Sequence, residues 1–140
     1  MSLFNSSTLA GSAMQGQTQR LHTVASNLAN VETAASKAED VYKPRKVIFE
    51  AALEKAKPGS AAMANSVEVK KVSAEDVEPR KLYDPKHPMA DEQGYVYMPN
   101  VSAVEEMVDM MAASRSYQSN AEVMNTAKSL MLKTLSIGQN

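Results

Sequence analysis

The apolar positions of this chain form two helical stripes, one at each end, with a different pattern between them. Near the N-terminus, Met14, Leu21, Val24, Leu28 and Val31 follow a 7-3-4-3 spacing. Near the C-terminus, Met107, Met110, Ser114, Tyr117, Ala121, Met124, Lys128, Met131 and Leu135 alternate steps of three and four. Such spacing is the seam of a coiled coil, which holds one face of a helix against a partner. All six prolines (Pro44, Pro58, Pro79, Pro85, Pro88 and Pro99) lie between the stripes. The pattern predicts a mainly α fold with a small β insertion and paired N- and C-terminal helices. It divides the chain into a helical part over 1–33, a β-rich middle module with loops over 34–99, and a second helical part over 100–140.

The first helix is predicted from about Ser7 to Ala29, after a segment, 1–7, that is flexible or ordered only on docking. Gly11 and Gly16 interrupt it, and each costs about 0.5–1 kcal/mol relative to alanine. Packing must supply what propensity does not. Its polar residues are unusual: Gln15, Gln17, Gln19, Ser26, Asn27 and Asn30 are uncharged, and Arg20 is the only certain charge before Glu32. A solvated face normally carries Glu and Lys. This one suits burial in a hydrogen-bonded interface between subunits better than it suits open solvent.

In the middle, 32–46 reads as a linker, Val47-Ile48-Phe49 as a short strand and 54–66 as a mobile loop. Val67, Val69, Val72 and Val77 alternate partly, which predicts one or two further strands with a bulge at Lys70-Lys71. Three strands of this kind make a marginal domain. Residues 83–100 form a proline-rich turn segment. Asn100 or Ser102 then caps the second helix, and Ser102 with Glu105 fits a capping box. Acidic residues open the helix, and Lys128 and Lys133 stand near its end, as the macrodipole favours. The helix should span 101–136, on the order of 50 Å. That is too long for the core of so short a chain, so much of it must pack on other chains.

Composition narrows the function. The net charge is -1 without a polybasic cluster, which leaves no case for nucleic acid. No apolar run is long enough for a membrane span. The first residues lack the charged and apolar regions of a cleaved secretory signal. The chain has no cysteine, which excludes disulfides, thiolate metal sites and a thiol nucleophile. Five of its ten methionines lie between Met107 and Met131, where flexible thioethers suit adaptable interfaces. His22 sits inside the first helix. His87, with Asp84 and Asp91, belongs to a rigid turn rather than a metal site. Glu105, Glu106 and Asp109 share one helical turn, so they read as a solvated or intersubunit salt-bridging face and not as an acid/base pair across a cleft. Arg115, Lys128 and Lys133 are their candidate partners on a neighbouring chain. No phosphate-binding or nucleophile motif is present, and no enzyme activity, cofactor or metal is expected.

Three segments carry a resemblance. SAMQGQTQRLHTVASNLANVET resembles the N-terminal signature of bacterial flagellar rod and hook proteins, and SRSYQSNAEVMNTAKSLMLKTLSIGQ resembles their C-terminal helix. The segment YDPKHPMADEQGYVYMPNVSAVEEMVDMMAA is more discriminating and is similar to that of proximal rod subunits. The resemblance implies a non-enzymatic subunit of the periplasmic rod, the drive shaft of the basal body, exported by the flagellar type III apparatus without a cleaved signal. It implies terminal helices packed as an axial coiled coil, with the β module outside. Implied neighbours are other copies of itself, the rod subunits FlgB, FlgF and FlgG, and the adaptor FliE. Matching motif residues are Ala25, Asn27, Leu28, Ala29 and Asn30 on the first helix. On the second they are Tyr117, Asn120, Thr126, Ala127, Lys133, Thr134 and Leu135. With Met14, Arg20, Leu21, Val24, Val31, Met107, Met110, Ala121, Met124 and Met131 they make up the expected assembly interface. Residues 34–46 are less glycine-rich than the family pattern. The rival reading is a soluble helical adaptor or chaperone of the flagellar export system.

Overall fold

The structure, a computed structural model, describes residues 3–53 and 64–138. Two helices dominate it: α1 (Leu3–Ala29) and α2 (Ala103–Ile137). They pack antiparallel, since Gly11 faces Met124 near one end while Asn27 bonds Glu106 near the other. Helix α1 starts at Leu3, so residues 3–7, expected to be flexible or ordered only on docking, are already helical, and residues 1–2 lie outside the described residues. The Ser102 hydroxyl accepts from the Glu105 amide at 3.4 Å and caps α2, and Glu105 and Glu106 fill the first turn. The last turn carries no basic residue; Gly138 closes it by donating its N–H to the Thr134 carbonyl.

The middle holds four strands in two separate hairpins, not one three-stranded module. Strands β1 (Arg45–Leu53) and β2 (Ala64–Ala74) pair antiparallel. Ile48 faces Lys71 and Phe49 faces Val69, so Lys70 is the bulged residue the sequence predicts. A second irregularity falls between Ala52 and Leu53. The predicted loop over 54–66 lies mostly outside the described residues, and its last three belong to β2. Val77, expected in a strand, sits in the connection after β2.

Strands β3 (Arg80–Tyr83) and β4 (Tyr95–Met98) form the second hairpin. β4 lies inside the segment the prolines marked as turn. Pro85 and Pro88 confine the turn to the loop before it, and Pro99 ends the strand just after it. The loop folds on itself, because Asp91 accepts from the amides of Gln93 and Tyr95 at 2.9 and 2.8 Å. Gly94 takes φ +82°, with Tyr83 3.0 Å from where a Cβ would stand, so only glycine fits this turn. The supposed linker after α1 is pinned in place. Ala35 exchanges backbone hydrogen bonds with Tyr97 at 2.8 and 3.0 Å, and Ala38–Asp40 make a short 3-10 turn.

α1 lies between α2 on one side and the β1–β2 hairpin on the other. The hairpin comes close to α1 at Gly16: a Cβ there would stand 2.8 Å from the ring of Phe49. The glycine thus costs helix propensity but admits the aromatic ring. Ser12 reinforces the same contact by accepting the Val67 amide at 3.0 Å.

The seam of α2 differs from the one the spacing predicts. Met110, Met124 and Met131 do turn toward α1, but the alternate positions are Glu106, Ala113, Asn120 and Ala127. The expected Met107, Lys128 and Leu135 are exposed instead, and Ala113 is more deeply buried than Ser114. Inward positions are one residue earlier because small side chains let the helices approach. Counting large apolar residues picks up the outer face as well.

The interior is correspondingly slight. Among the described residues, the buried apolar side chains are four alanines, three valines and the prolines Pro44 and Pro99, and the largest fully buried ones overall are Val96 and Asn27. The accessible surface is 10174 Å². A compact monomer of this length exposes about 7,000 Å². The excess is of the order buried in large obligate interfaces.

Candidate functional site

At the upper end of the helix pair, α1, its exit loop, β1 and the start of α2 meet at one side chain. Asn27 is 1% exposed. Its Nδ2 donates to the Arg45 carbonyl and to Glu106 Oε1, both at 2.9 Å. Its Oδ1 accepts from the Arg45 N–H and the Tyr42 hydroxyl, again at 2.9 Å. All four hydrogen-bonding positions of the amide are used, which is what a buried amide requires. It meets the first residue of β1 as an adjacent strand would, by one donor and one acceptor. The Ser26 hydroxyl lies 3.1 Å from that of Tyr42, and the Asn30 amide donates to the Ser26 carbonyl at 2.8 Å, which closes the helix end.

Two ion pairs stand near this amide, one across the helix pair and one from β1 to the connection after β2. Arg20 donates to Asp109 at 2.9 Å across the helix pair, and Lys46 pairs with Glu75 at 2.9 Å. Burial pushes the Glu106 carboxyl above its ordinary pKa, and nearby Asp109 adds to that; the Asn27 hydrogen bond and Lys46 oppose it. Two of the three carboxylates for which Arg115, Lys128 and Lys133 of a neighbouring chain are the expected partners have partners within this chain: Asp109 has Arg20, and Glu106 has Asn27. Glu106, Tyr42 and the Arg45 backbone were missed as parts of the site. Their only signal in sequence is the buried amide they share, and it is far from each of them along the chain.

The expected interface residues divide into three groups. Val24, Asn27 and Ala127 are buried within the subunit. Met14, Arg20, Leu21, Leu28, Asn30, Val31, Met110, Asn120, Ala121, Met124 and Met131 are half-buried along the helix pair. Ala25, Ala29, Met107, Tyr117, Thr126, Lys133, Thr134 and Leu135 are exposed. Thr134 bonds its hydroxyl back to the Leu130 and Met131 carbonyls, leaving its methyl outward. Val104, Val108, Met111, Leu132 and Ile137 are exposed as well, and the spacing did not mark them.

His87 does not gather ligands. Its Nδ1 accepts the Met89 amide at 3.1 Å, and Asp84 accepts that of Lys86 at 3.2 Å. Among the described residues, no three His, Cys, Asp or Glu side chains stand together as a metal site, and no helix is long and apolar enough to cross a membrane.

Paired terminal helices with an unfinished outer surface define a subunit class, and comparison with known proteins identifies it. Residues 9–34 match the family described as flagella basal body rod protein, and residues 92–137 match the flagellar basal body rod FlgEFG protein C-terminal family. The flagellar basal-body rod protein FlgC of Escherichia coli O157:H7 is 46% identical over 139 residues, covering 99% of this chain and 100% of that protein. The FlgC proteins of Salmonella typhimurium and Bacillus subtilis are 45% and 36% identical, with the same coverage. The chain belongs to the FlgC family of flagellar basal-body rod proteins.

Proposed function

We infer that this chain is a structural subunit of the flagellar rod, working by assembly and not by catalysis. The observation that carries the reading is the helix pair itself: it matches rod families at both ends, and its apolar surface is left uncovered by its own chain. In the proximal rod, the uncovered residues of α1 and α2 would meet neighbouring subunits, and the β hairpins would stand outside. The interface would comprise the exposed and half-buried helix residues named above, with Ala25, Ala29, Met107, Tyr117, Thr126, Lys133 and Leu135 facing other chains. FlgB, FlgF, FlgG and the adaptor FliE are the proposed neighbours. The organisation into 1–33, 34–99 and 100–140 fits this division of labour.

The physical basis is an unfinished interior. A subunit with so small a core is marginal alone, which suits passage through the type III apparatus into the periplasm. Heterologous contacts that do not close give a helical shaft. Many interlocked helices give it torsional stiffness for transmitting torque. The ordering cost of the helix ends is met when neighbours bury them.

Fractionation tests the reading. The full chain, expressed in a strain lacking its own copy, should restore motility and appear in purified basal bodies. Restored motility with the protein confined to the cytoplasm as a free dimer would replace it with the adaptor reading.

A further inference from the structure

The second hairpin has one closed edge and one open edge. On β4, Tyr97 exchanges backbone hydrogen bonds with Ala35, and the Tyr95 N–H and C=O both meet Asp91, on the side away from β3. Residues of an antiparallel pair alternate between facing the partner strand and facing away from it. Lys81 and Tyr83 lie opposite Tyr97 and Tyr95, so their N–H and C=O groups point out of the sheet on the far side of β3. Among the described residues these groups meet no partner. All of β3 is exposed, with Leu82 at 47% and Tyr83 at 64%. Such an edge is a template for a further strand.

The sequence of that edge complements its own reverse. Residues 78–86 read Glu-Pro-Arg-Lys-Leu-Tyr-Asp-Pro-Lys. Laid antiparallel on a second copy about Leu82, Glu78 meets Lys86, Arg80 meets Asp84, Lys81 meets Tyr83 and Leu82 meets itself. The outward-facing Lys81 and Tyr83 then stand opposite each other and exchange backbone hydrogen bonds. A slip of two residues one way sets Lys81 against Lys81 and Glu78 against Asp84. The same slip the other way sets Arg80 against Lys86. A slip of one residue aims bonding groups at positions that face away, and parallel pairing in register puts every charge beside its own kind. Pro79 and Pro85 hold the next outward positions and have no N–H, so the ladder stops there.

We propose that β3 of the free subunit pairs with β3 of a second copy, about a two-fold axis at Leu82. On one face the two Leu82 side chains meet where opposed side chains stand closest, with an Arg80–Asp84 pair on either side. Among the described residues, the Arg80 guanidinium reaches the Met98 sulfur at 3.6 Å and the Asp84 carboxylate the Lys86 amide at 3.2 Å, so neither charge is neutralised within its own chain. On the other face Lys81 lies 5.3 Å over the Tyr97 ring and gains the second copy's Tyr83, which is set edge-on to its own Tyr95 at 5.2 Å. So short an edge buries less than the roughly 1,200 Å² of stable complexes, which makes the pairing transient. A two-fold contact has no place in a shaft whose subunits all point one way. It covers the edge in the free chain and opens as the subunit docks. The pairing itself is independent of the rod reading; its opening on docking rests on it.

The test uses the purified full chain, which has no cysteine of its own. Lys81→Cys, Leu82→Cys and Tyr83→Cys are oxidised separately at equal concentration, and disulfide-linked dimer is followed on non-reducing gels. In the proposed register position 82 alone meets itself, at the roughly 4.5–5.5 Å of opposed Cβ atoms, close to what a disulfide needs. Positions 81 and 83 lie diagonally from their copies, at about 7–8 Å. Leu82→Cys should therefore cross-link at least about tenfold faster than the other two. Equal rates, or a faster Lys81→Cys or Tyr83→Cys, overturn the proposal. A second measurement leaves Leu82 in place. The parent should dimerise reversibly at high concentration in sedimentation runs, Arg80→Glu and Asp84→Lys should each weaken this, and mixing the two variants should restore it, because the mixed dimer has opposite charges at both sites. A parent that stays monomeric up to millimolar concentration, or a mixture no more associated than its components, contradicts the pairing. Absence of the chain from basal bodies would instead overturn the rod reading.

Discussion

The two ends of the helix pair are built on opposite principles. At the upper end, a buried amide with all of its hydrogen bonds made joins four segments of one chain, and Arg20–Asp109 spans the helices beside it. At the lower end, contact rests on small side chains such as Ala10 and Ala127, and Leu130, Leu132, Leu135 and Ile137 remain in solvent. The upper end is fixed by polar contacts within the subunit, although Val104, Met107, Val108 and Met111 on its outer face stay exposed. The lower end has apolar material that its own chain does not cover. Buried polar networks specify one arrangement because a partial match leaves groups unsatisfied. Exposed apolar ends gain free energy from any fitting partner. The subunit thus fixes its own geometry at one end and depends on its neighbours at the other.

The sharpest way to break this contrast is Asn27→Ala. It leaves the Arg45 amide, the Tyr42 hydroxyl and the Glu106 carboxylate without their shared partner. The loss should be about 3 kcal/mol, read as a lowered denaturation midpoint of the monomer. A loss below about 0.5 kcal/mol would mean the junction does not organise the fold.

Next in size is the glycine pair in α1. Gly16→Val drives a branched side chain into the Phe49 ring and should cost about 2 kcal/mol. Gly11→Ala brings a Cβ to 3.4 Å from the mobile methyl end of Met124, which can yield. The gain in helix propensity should then prevail, raising stability by up to about 1 kcal/mol. Equal responses at the two glycines, in a thermal melt, would contradict the packing described around α1.

A smaller effect depends on pH. The Glu106 pKa is raised in the folded state, so the folded state binds this proton more tightly than the unfolded chain does. Its contribution is most favourable below the unfolded carboxylate pKa and is lost as pH rises through the folded value. Glu106→Gln keeps an acceptor for Asn27 without the charge. Relative to the parent, the variant should gain stability at neutral pH; the gain should shrink as pH falls through the raised folded value and be gone below the ordinary carboxylate value of 4.5. Circular dichroism melts across that range check the sign.

The smallest expected effect on the monomer is that of Leu135→Asp. The site is exposed, so stability should stay within about 0.5 kcal/mol. Incorporation into basal bodies should nevertheless fall severely, as immunoblots of purified basal bodies would show. A variant that unfolds the monomer would place Leu135 in the subunit's own core.

Much of this architecture could be read along the chain. The terminal helices, the Ser102 cap and the bulge at Lys70 follow from local rules of spacing, capping and alternation. The phase of the α2 seam does not, because two patterns are superposed on that helix. Ala113 and Ala127 face inward, while Met107 and Leu135 face outward, and a count of large apolar residues favours the outer set. The role of Asn27 was half legible. Its uncharged polarity marks burial, but its partners Tyr42, Arg45 and Glu106 are brought to it only by tertiary structure. The second hairpin was hidden for a related reason: the prolines that bound β4 also made its whole neighbourhood read as turn.

The division between an end locked by polar contacts and an end without them is tested most directly by native-state hydrogen exchange on the dilute monomer and on assembled basal bodies. In the monomer, amides around Thr23–Asn27 and Met110–Ala113 should exchange only with global unfolding, while those beyond Ala127 exchange by local opening. Assembly should protect the latter by at least two orders of magnitude. Uniform protection along both helices of the monomer, unchanged on assembly, would contradict the account.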